Sequence, residues 1–386
     1  MKVLHVAASL SHNWGGPARS VRGLTKGLMQ KGVEVAVFAL DNPQKSEREV
    51  GFESVEARLF KQDWLSKIWT AHSSALDRAL QGEVQRYDLL HIHEIWHHPH
   101  FAAYRAAKKF NKPYVVSVRG ALDPWCLNYK GFKKRVYAAF IQQRMLNRAA
   151  AIHALVQNEV KDIRAFGVHS PVVVIPNGID PEEFRELPEK EEIEKLYPEL
   201  KGKNVVLFLG RIHPKKGLDI LAKAFGVIAK ERDDIRLIVA GPDNEGYQKQ
   251  VEQILEVQEV RHKCIFTGML TGEQKLAALS RADIFVLPSY SEGFSMAILE
   301  VLACGLPVVI THQCNFPEVA EANAGIVIDP DVDQLTAALY KLIENPELRG
   351  EMGSNGRRLV MEHFTWDRIA EQMMELYQSV LEGKLR

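Results

Sequence analysis

Short apolar runs alternate with longer amphipathic stretches along most of the chain. Residues 3–8, 33–38, 89–93, 114–118 and 151–154 are apolar segments of strand length, and residues 17–31, closed by Gly32, carry apolar positions at helical spacing. A second series begins at 205 and continues through 237–240, 263–266, 284–287, 307–310 and 325–328, again with amphipathic stretches between. Strands that are apolar throughout, rather than alternating, are those buried on both faces, and their alternation with helices predicts parallel sheets. Two Rossmann-like α/β domains follow, the first over residues 1–180 and the second over 181–365. The acidic, proline-bearing stretch 181–198 reads as a hinge rather than as core. Residues 364–381 read as an amphipathic helix with Ile369, Met373, Leu376 and Tyr377 on its apolar face.

A length of 386 residues allows two domains, each with its own core. No apolar run approaches the roughly 20 residues of a membrane span, and the opening MKVLHVAAS reads as a first strand, so a cytoplasmic protein is expected. Four cysteines without paired spacing, Cys126, Cys264, Cys304 and Cys314, are expected to be reduced thiols. Net charge is zero, yet residues 1–180 hold 25 basic and 15 acidic side chains, whereas 181–386 hold 24 and 34. The basic excess gathers at Lys130, Lys133, Lys134, Arg135, Arg144 and Arg148. It suits an anionic lipid surface or a lipid-diphosphate acceptor, or else is a solvated helix face. Balanced total charge and the lack of a recognised nucleic-acid motif argue against nucleic acid.

Chemistry concentrates in the loops after strands. Gly210-Arg211-Ile212-His213-Pro214-Lys215-Lys216-Gly217 follows the strand at 205–209 and brings two cations, Arg211 and Lys216, to one strand end. Glu292-Gly293-Phe294-Ser295-Met296-Ala297-Ile298-Leu299-Glu300 follows the strand at 284–287 and enters an apolar helix. Open α/β sheets bind ligands at the carboxyl ends of their strands, and a helix start offers free amides and a positive dipole end to phosphate. Glu300 lies among apolar residues, so it needs a polar partner, for which a hydroxyl-rich ligand is suited. Asp329-Pro330-Asp331-Val332-Asp333 contains an Asp-x-Asp pattern, but its place before a helical run is better explained by N-capping.

In the first half, Trp14-Gly15-Gly16-Pro17 links strand to helix without the Gly-x-Gly-x-x-Gly pattern of a nicotinamide enzyme. Five histidines fall within residues 91–100, but no cysteine or well-spaced carboxylate completes a metal site, and no metal is expected. His93 is a candidate cleft residue.

Together, the Gly-Arg-x4-Lys-Gly loop, the Glu-x7-Glu element, Pro176-Asn177-Gly178-Ile179-Asp180 and the Gly15-Gly16 loop make the whole chain resemble glycosyltransferase family 4, in matching order and spacing. The resemblance implies the GT-B fold, two Rossmann-like domains facing each other across a cleft, with the helix at 366–386 returning to the first domain. It implies a retaining, metal-independent hexosyltransferase without a cofactor, whose donor is a nucleotide diphosphate sugar. Arg211 and Lys216 would neutralise the departing diphosphate, Glu292 would bind sugar hydroxyls, and Glu300 would bind the ribose. Gly15, Gly16, Gly210, Gly293, Phe294, Ser295 and Met296 would line the donor, with Phe266 and Leu270 at the base. UDP-glucose is the favoured donor and GDP-mannose the alternative; the acceptor is a saccharide or lipid-linked saccharide of polysaccharide or glycoconjugate synthesis. A phosphorylase, an epimerase or a nonenzymatic sugar-nucleotide module are the competing readings. Where many relatives carry a cleft histidine after the strand at 114–118, this chain has Arg119, which stays protonated and cannot serve as a base. Arg119, Asp123, Lys130 and Lys133 are candidate sugar or acceptor contacts.

Overall fold

A computed structural model describes residues 1–10, 16–41, 56–124 and 141–385. Gly15, Lys130, Lys133, Lys134, Arg135 and Cys126 lie outside the described residues. The chain divides into two compact units, Met1–Gly178 with Trp366–Arg386, and Ile179–Thr365.

The first unit is built on seven strands: β1 (Lys2–Val6), β2 (Glu34–Asp41), β3 (Glu56–Lys61), β4 (Leu89–His93), β5 (Tyr114–Ser117), β6 (Ala151–Ala154) and β7 (Val172–Val174). They lie in the order β3-β2-β1-β4-β5-β6-β7 with every pair parallel. Strand order reverses between β1 and β4, so the loops leaving those strands part at that point. The central strands are closed to solvent on both faces, which is why their apolar residues run consecutively. The exceptions are histidines: His5, His91, His93 and His153 are as buried as the valines beside them.

The closing helix, Trp366–Leu381, packs in this unit on the first helix, Gly16–Gln30, and its apolar positions Ile369, Met373, Leu376 and Tyr377 are buried. A Cβ at Gly23 would fall 2.0 Å from the Trp366 ring, and one at Gly27 would fall 2.8 Å from the Trp366 carbonyl oxygen. The two glycines are what lets the helices approach. Lys31 closes the end of the contact, with Nζ 2.7 Å from both Asp367 and Glu371.

The second unit repeats the plan with β8 (Asn204–Leu209), β9 (Ile235–Ala240), β10 (Cys264–Gly268), β11 (Ile284–Leu287), β12 (Val308–Thr311) and β13 (Gly325–Ile328). Their order is β10-β9-β8-β11-β12-β13, again wholly parallel, with the reversal between β8 and β11. Both units are therefore the parallel α/β sheets that the alternation of segments predicts.

The stretch 181–198 departs from its reading as a hinge outside the core. It forms two short helical pieces, Pro181–Phe184 and Glu191–Leu196, that insert fully buried Phe184 and Ile193 into the second unit's core. Its acidic composition hides single apolar anchors, and Glu194 is held by buried Arg281 at 2.6 Å.

Candidate active site

In the second unit the loops after β8 and β11 meet at the point where strand order reverses. The β8 loop turns through a short 3₁₀ segment, Pro214–Lys216, and ends at Gly217 in the left-handed conformation (φ 68°) before the helix Leu218–Glu231. A Cβ at Gly217 would lie 1.9 Å from the carbonyl oxygen of Pro288, so only glycine lets the β8 loop lie against the β11 loop. Tyr290 N–H donates to the Lys215 carbonyl at 2.8 Å and binds the two loops directly.

This contact places Lys216 on Glu292. Nζ is 2.5 Å from Oε1, both side chains are largely buried, and Ser289 Oγ donates to the same oxygen at 2.7 Å. Burial alone raises the pKa of the Glu292 carboxyl, but Lys216 and the Ser289 hydroxyl outweigh it and leave the group below its ordinary value. Glu292 is thus a carboxylate. Its backbone is pinned as well, with N–H donating to the Gln313 carbonyl at 2.9 Å and the carbonyl accepting from Asn315 Nδ2 at 2.7 Å. The side chain does not cap the following helix, Met296–Ala303, whose N-cap is Ser295. Arg211 is exposed at the same strand end and has no carboxylate within 4.0 Å among the described residues, and Gly210 is half-buried beside it.

Gly293, Phe294, Ser295 and Met296 form the approach to that helix. The rings of Phe294 and Phe316 stand 5.6 Å apart, so this side chain anchors the loop in the core. Glu300, one turn and more into the helix, is 4% exposed and accepts from Lys275 Nζ at 3.0 Å. Phe266 is half-buried at the end of β10, with the Arg261 guanidinium 4.8 Å from its ring centroid, and Leu270 is 9% exposed. Asp331 caps the helix Val332–Ile343 through the Gln334 amide at 2.9 Å, so the Asp-x-Asp pattern is a helix cap. Burial pushes the thiols of Cys264 and Cys304 up to about 12 and that of Cys314 up to about 11.

The first unit gathers its polar side chains around β1, β4, β5 and β6. His153 Nε2 meets the Ile175 carbonyl at 2.7 Å, and a carbonyl can only accept, so the proton is on Nε2. Ser117 Oγ then donates to His153 Nδ1 and accepts from His91 Nε2, both at 2.6 Å. His91 Nδ1 is left to accept from the Tyr377 hydroxyl at 2.6 Å, which ties the closing helix into the sheet. A second branch starts at Arg119, whose Nη2 donates to His93 Nδ1 at 3.1 Å; His93 Nε2 donates to His5 Nδ1 at 2.8 Å. This wiring needs four neutral imidazoles. Burial above all, with help from Arg119, holds every one below its ordinary pKa, His5 at about 3 and His153 at about 4.

Arg119 has φ 52° and its Nη1 also donates to Ser20 Oγ in the first helix. Gly16, which opens that helix, is exposed. Asp123 is half-buried, its N–H donating to the Gly120 carbonyl at 3.3 Å. The structure thus joins Lys216 to Glu292 and His93 to Arg119. It adds Ser289, three residues before Glu292 in the same loop, and Lys275, Ser20 and Tyr377, which local spacing does not reveal because each is brought in by a different element.

Residues 14–183 match the family described as Glycosyltransferase Family 4, and residues 189–359 match Glycosyl transferases group 1. An uncharacterized glycosyltransferase of Methanocaldococcus jannaschii is 26% identical over 379 residues, 95% of each chain. A GDP-mannose-dependent phosphatidylinositol monomannoside mannosyltransferase of Corynebacterium glutamicum is 29% identical over 225 residues, 56% of this chain and 58% of that one. Among solved structures, HepE of Anabaena in complex with UDP and glucose superimposes with TM-score 0.80 at 20% identity, covering 98% of this chain and all of that one. Among the described residues, no helix is long and apolar enough to cross a membrane.

Proposed function

Because this chain belongs to glycosyltransferase family 4, a family of GT-B enzymes, we propose that its second unit binds a nucleotide diphosphate sugar at the crossing of the β8 and β11 loops. From that donor it transfers a hexose, with retention and without a metal ion, to a saccharide or lipid-linked saccharide acceptor. The observation that carries this reading is the Lys216–Glu292 pair at the reversal of strand order, with Arg211 exposed beside it.

Positive charge is what a departing diphosphate requires. Lys216 and Arg211 supply it at fixed positions, and the opening amides of the helix Met296–Ala303 add to it. These groups fill the electrostatic role that a divalent cation takes in other transferases. Glu292 holds Lys216 in place, and its second oxygen is available to sugar hydroxyls. Glu300 exchanges part of its contact with Lys275 for the ribose hydroxyls. The acceptor oxygen attacks from the face that the phosphate leaves, and the leaving phosphate takes the acceptor proton, so no carboxylate nucleophile is needed. Peripheral membrane contact through the basic first unit fits a lipid-linked acceptor.

UDP-glucose is the first donor reading. GDP-mannose is the second, favoured by the relative named for its dependence on GDP-mannose. Calorimetry with UDP, GDP, UDP-glucose and GDP-mannose, in EDTA and then with magnesium, decides between them. Binding of one series without metal supports the reading, and binding only with magnesium refutes its metal independence. Glu300→Ala should weaken binding of the nucleotide; unchanged affinity would remove its ribose role.

A further inference from the structure

We propose that the first unit carries an anion subsite centred on the Arg119 guanidinium, which seats a phosphate or carboxylate group of the acceptor. The enzyme would then act on anionic saccharides in preference to neutral ones. This inference rests on the transferase reading, which assigns the donor diphosphate to Arg211 and Lys216 and so leaves Arg119 for a second anion.

Among the described residues the guanidinium has no carboxylate paired with it; Glu94 and Glu159 act on it only from longer range. Its five N–H groups find two acceptors among the described residues, Ser20 Oγ and His93 Nδ1, and neither bears charge. Its Nε is buried with no hydrogen-bond partner, and no carboxylate lies within 4.0 Å of it among the described residues. The buried Glu159 carboxylate directs its hydrogen bonds to the Gly120 and Leu155 amides and reaches the guanidinium only through space. The other unit shows how the chain otherwise treats a buried arginine: Arg281 holds Glu194 at 2.6 Å and Asp283 at 3.3 Å. A sequestered charge with no such partner is costly unless a ligand supplies one.

Among the described residues, the groups that touch Arg119 do not pair with it as counter-ions. The histidines wired to it are neutral, and it depresses their pKa values in turn. Ser20, its other contact, sits in the opening of the Gly16–Gln30 helix, whose first turn has no acidic residue. The dipole of that helix adds positive potential at its Ser20 end. A planar, forked donor also suits phosphate and carboxylate oxygens better than it suits a lone hydroxyl.

The test uses the full-length protein saturated with the nucleoside diphosphate it prefers, titrated calorimetrically with glucose, glucuronate and glucose 6-phosphate at constant ionic strength. The anionic sugars should bind about tenfold or more tighter than glucose, and Arg119→Gln should remove that advantage while leaving nucleotide affinity unchanged. Comparison of glucuronate with glucose 6-phosphate tells whether the group is a carboxylate or a phosphate. Equal binding of glucose, or anionic-sugar affinity unchanged in Arg119→Gln, overturns the proposal. Loss of nucleotide affinity in that variant also overturns it, by assigning Arg119 to the donor. If the wild-type protein binds no nucleotide, the transferase reading fails instead, and inorganic phosphate titrated into wild type and variant still tests the subsite. Should Arg119→Gln fail to fold, Arg119→Lys retains the charge without the fork and should show an intermediate loss.

Discussion

Lowering the pH from 8 to 5 should destabilise the first unit far more than the second. His5 and His153 are buried, bonded as neutral imidazoles, and held at about 3 and about 4. In the unfolded chain a histidine titrates near ~6.5. Between these values the unfolded state binds protons that the native state refuses, so stability rises with pH and is lost as pH falls below ~6.5. At pH 5 each of the two should contribute a loss of about 2 kcal/mol relative to pH 8, and together about 4 kcal/mol. His91, His93 and His100 are shifted in the same direction and add to it. Glu159 works the other way: burial raises its pKa, so it returns some stability at low pH, through one proton against five. Such a loss is a large part of the roughly 5–15 kcal/mol that stabilises a domain. In the second unit the corresponding site is His213, which is only half-buried.

Amide exchange resolved by mass spectrometry, at matched intrinsic rates from pH 8 to 5, reads the two units separately. Protection of β4 and β6 should fall with pH while that of β8 and β11 holds. Calorimetry in buffers of different ionisation enthalpy should record uptake of at least about two protons on unfolding at pH 5. Protection in β4 and β6 that stays level between pH 7 and 5, or uptake below one proton, would refute the neutral wiring. Arg119→Gln should make the dependence shallower, since Arg119 lowers all four wired histidines.

Lys216→Gln should lower nucleoside diphosphate affinity about tenfold and cost about 3 kcal/mol, because it strands the Glu292 carboxylate; titration calorimetry and urea melts measure the two effects. Gly217→Ala adds a Cβ 1.9 Å from the Pro288 carbonyl oxygen at φ 68° and should cost about 2 kcal/mol or more, with nucleotide affinity reduced as the β8 loop shifts. Tyr377→Phe removes the donor to His91 Nδ1 and should cost about 1–3 kcal/mol, read as lower exchange protection in the first unit. Cys264 and Cys314 should resist iodoacetamide at pH 8 in the native protein and react after denaturation.

Residue type and local spacing reveal the elements that are buried and the residues that carry charge, but not the partner of each. The central strands are legible because burial on both faces leaves an unbroken apolar run, as in Ile284–Leu287. The unrecognised strands, Glu56–Lys61 and Val172–Val174, lie at the two edges of their sheet, where one side has no neighbour and polar or very short segments suffice. The same limit applies to the chemistry. Lys216 and Glu292 are marked as cation and carboxylate by their loops, but their pairing spans 76 residues and exists only because β8 and β11 are adjacent. The histidine run at 91–100 does not show its partners when read locally. Its first two members meet His5, Ser117, Arg119 and Tyr377, brought in by other elements, and are wired to them as neutral hydrogen-bonding groups. Arg119 gains its significance in the same way. A lone arginine in a loop is ordinary in sequence; that its Nε is buried without a partner, and that its bonds go to a hydroxyl and an imidazole, is visible only in the fold.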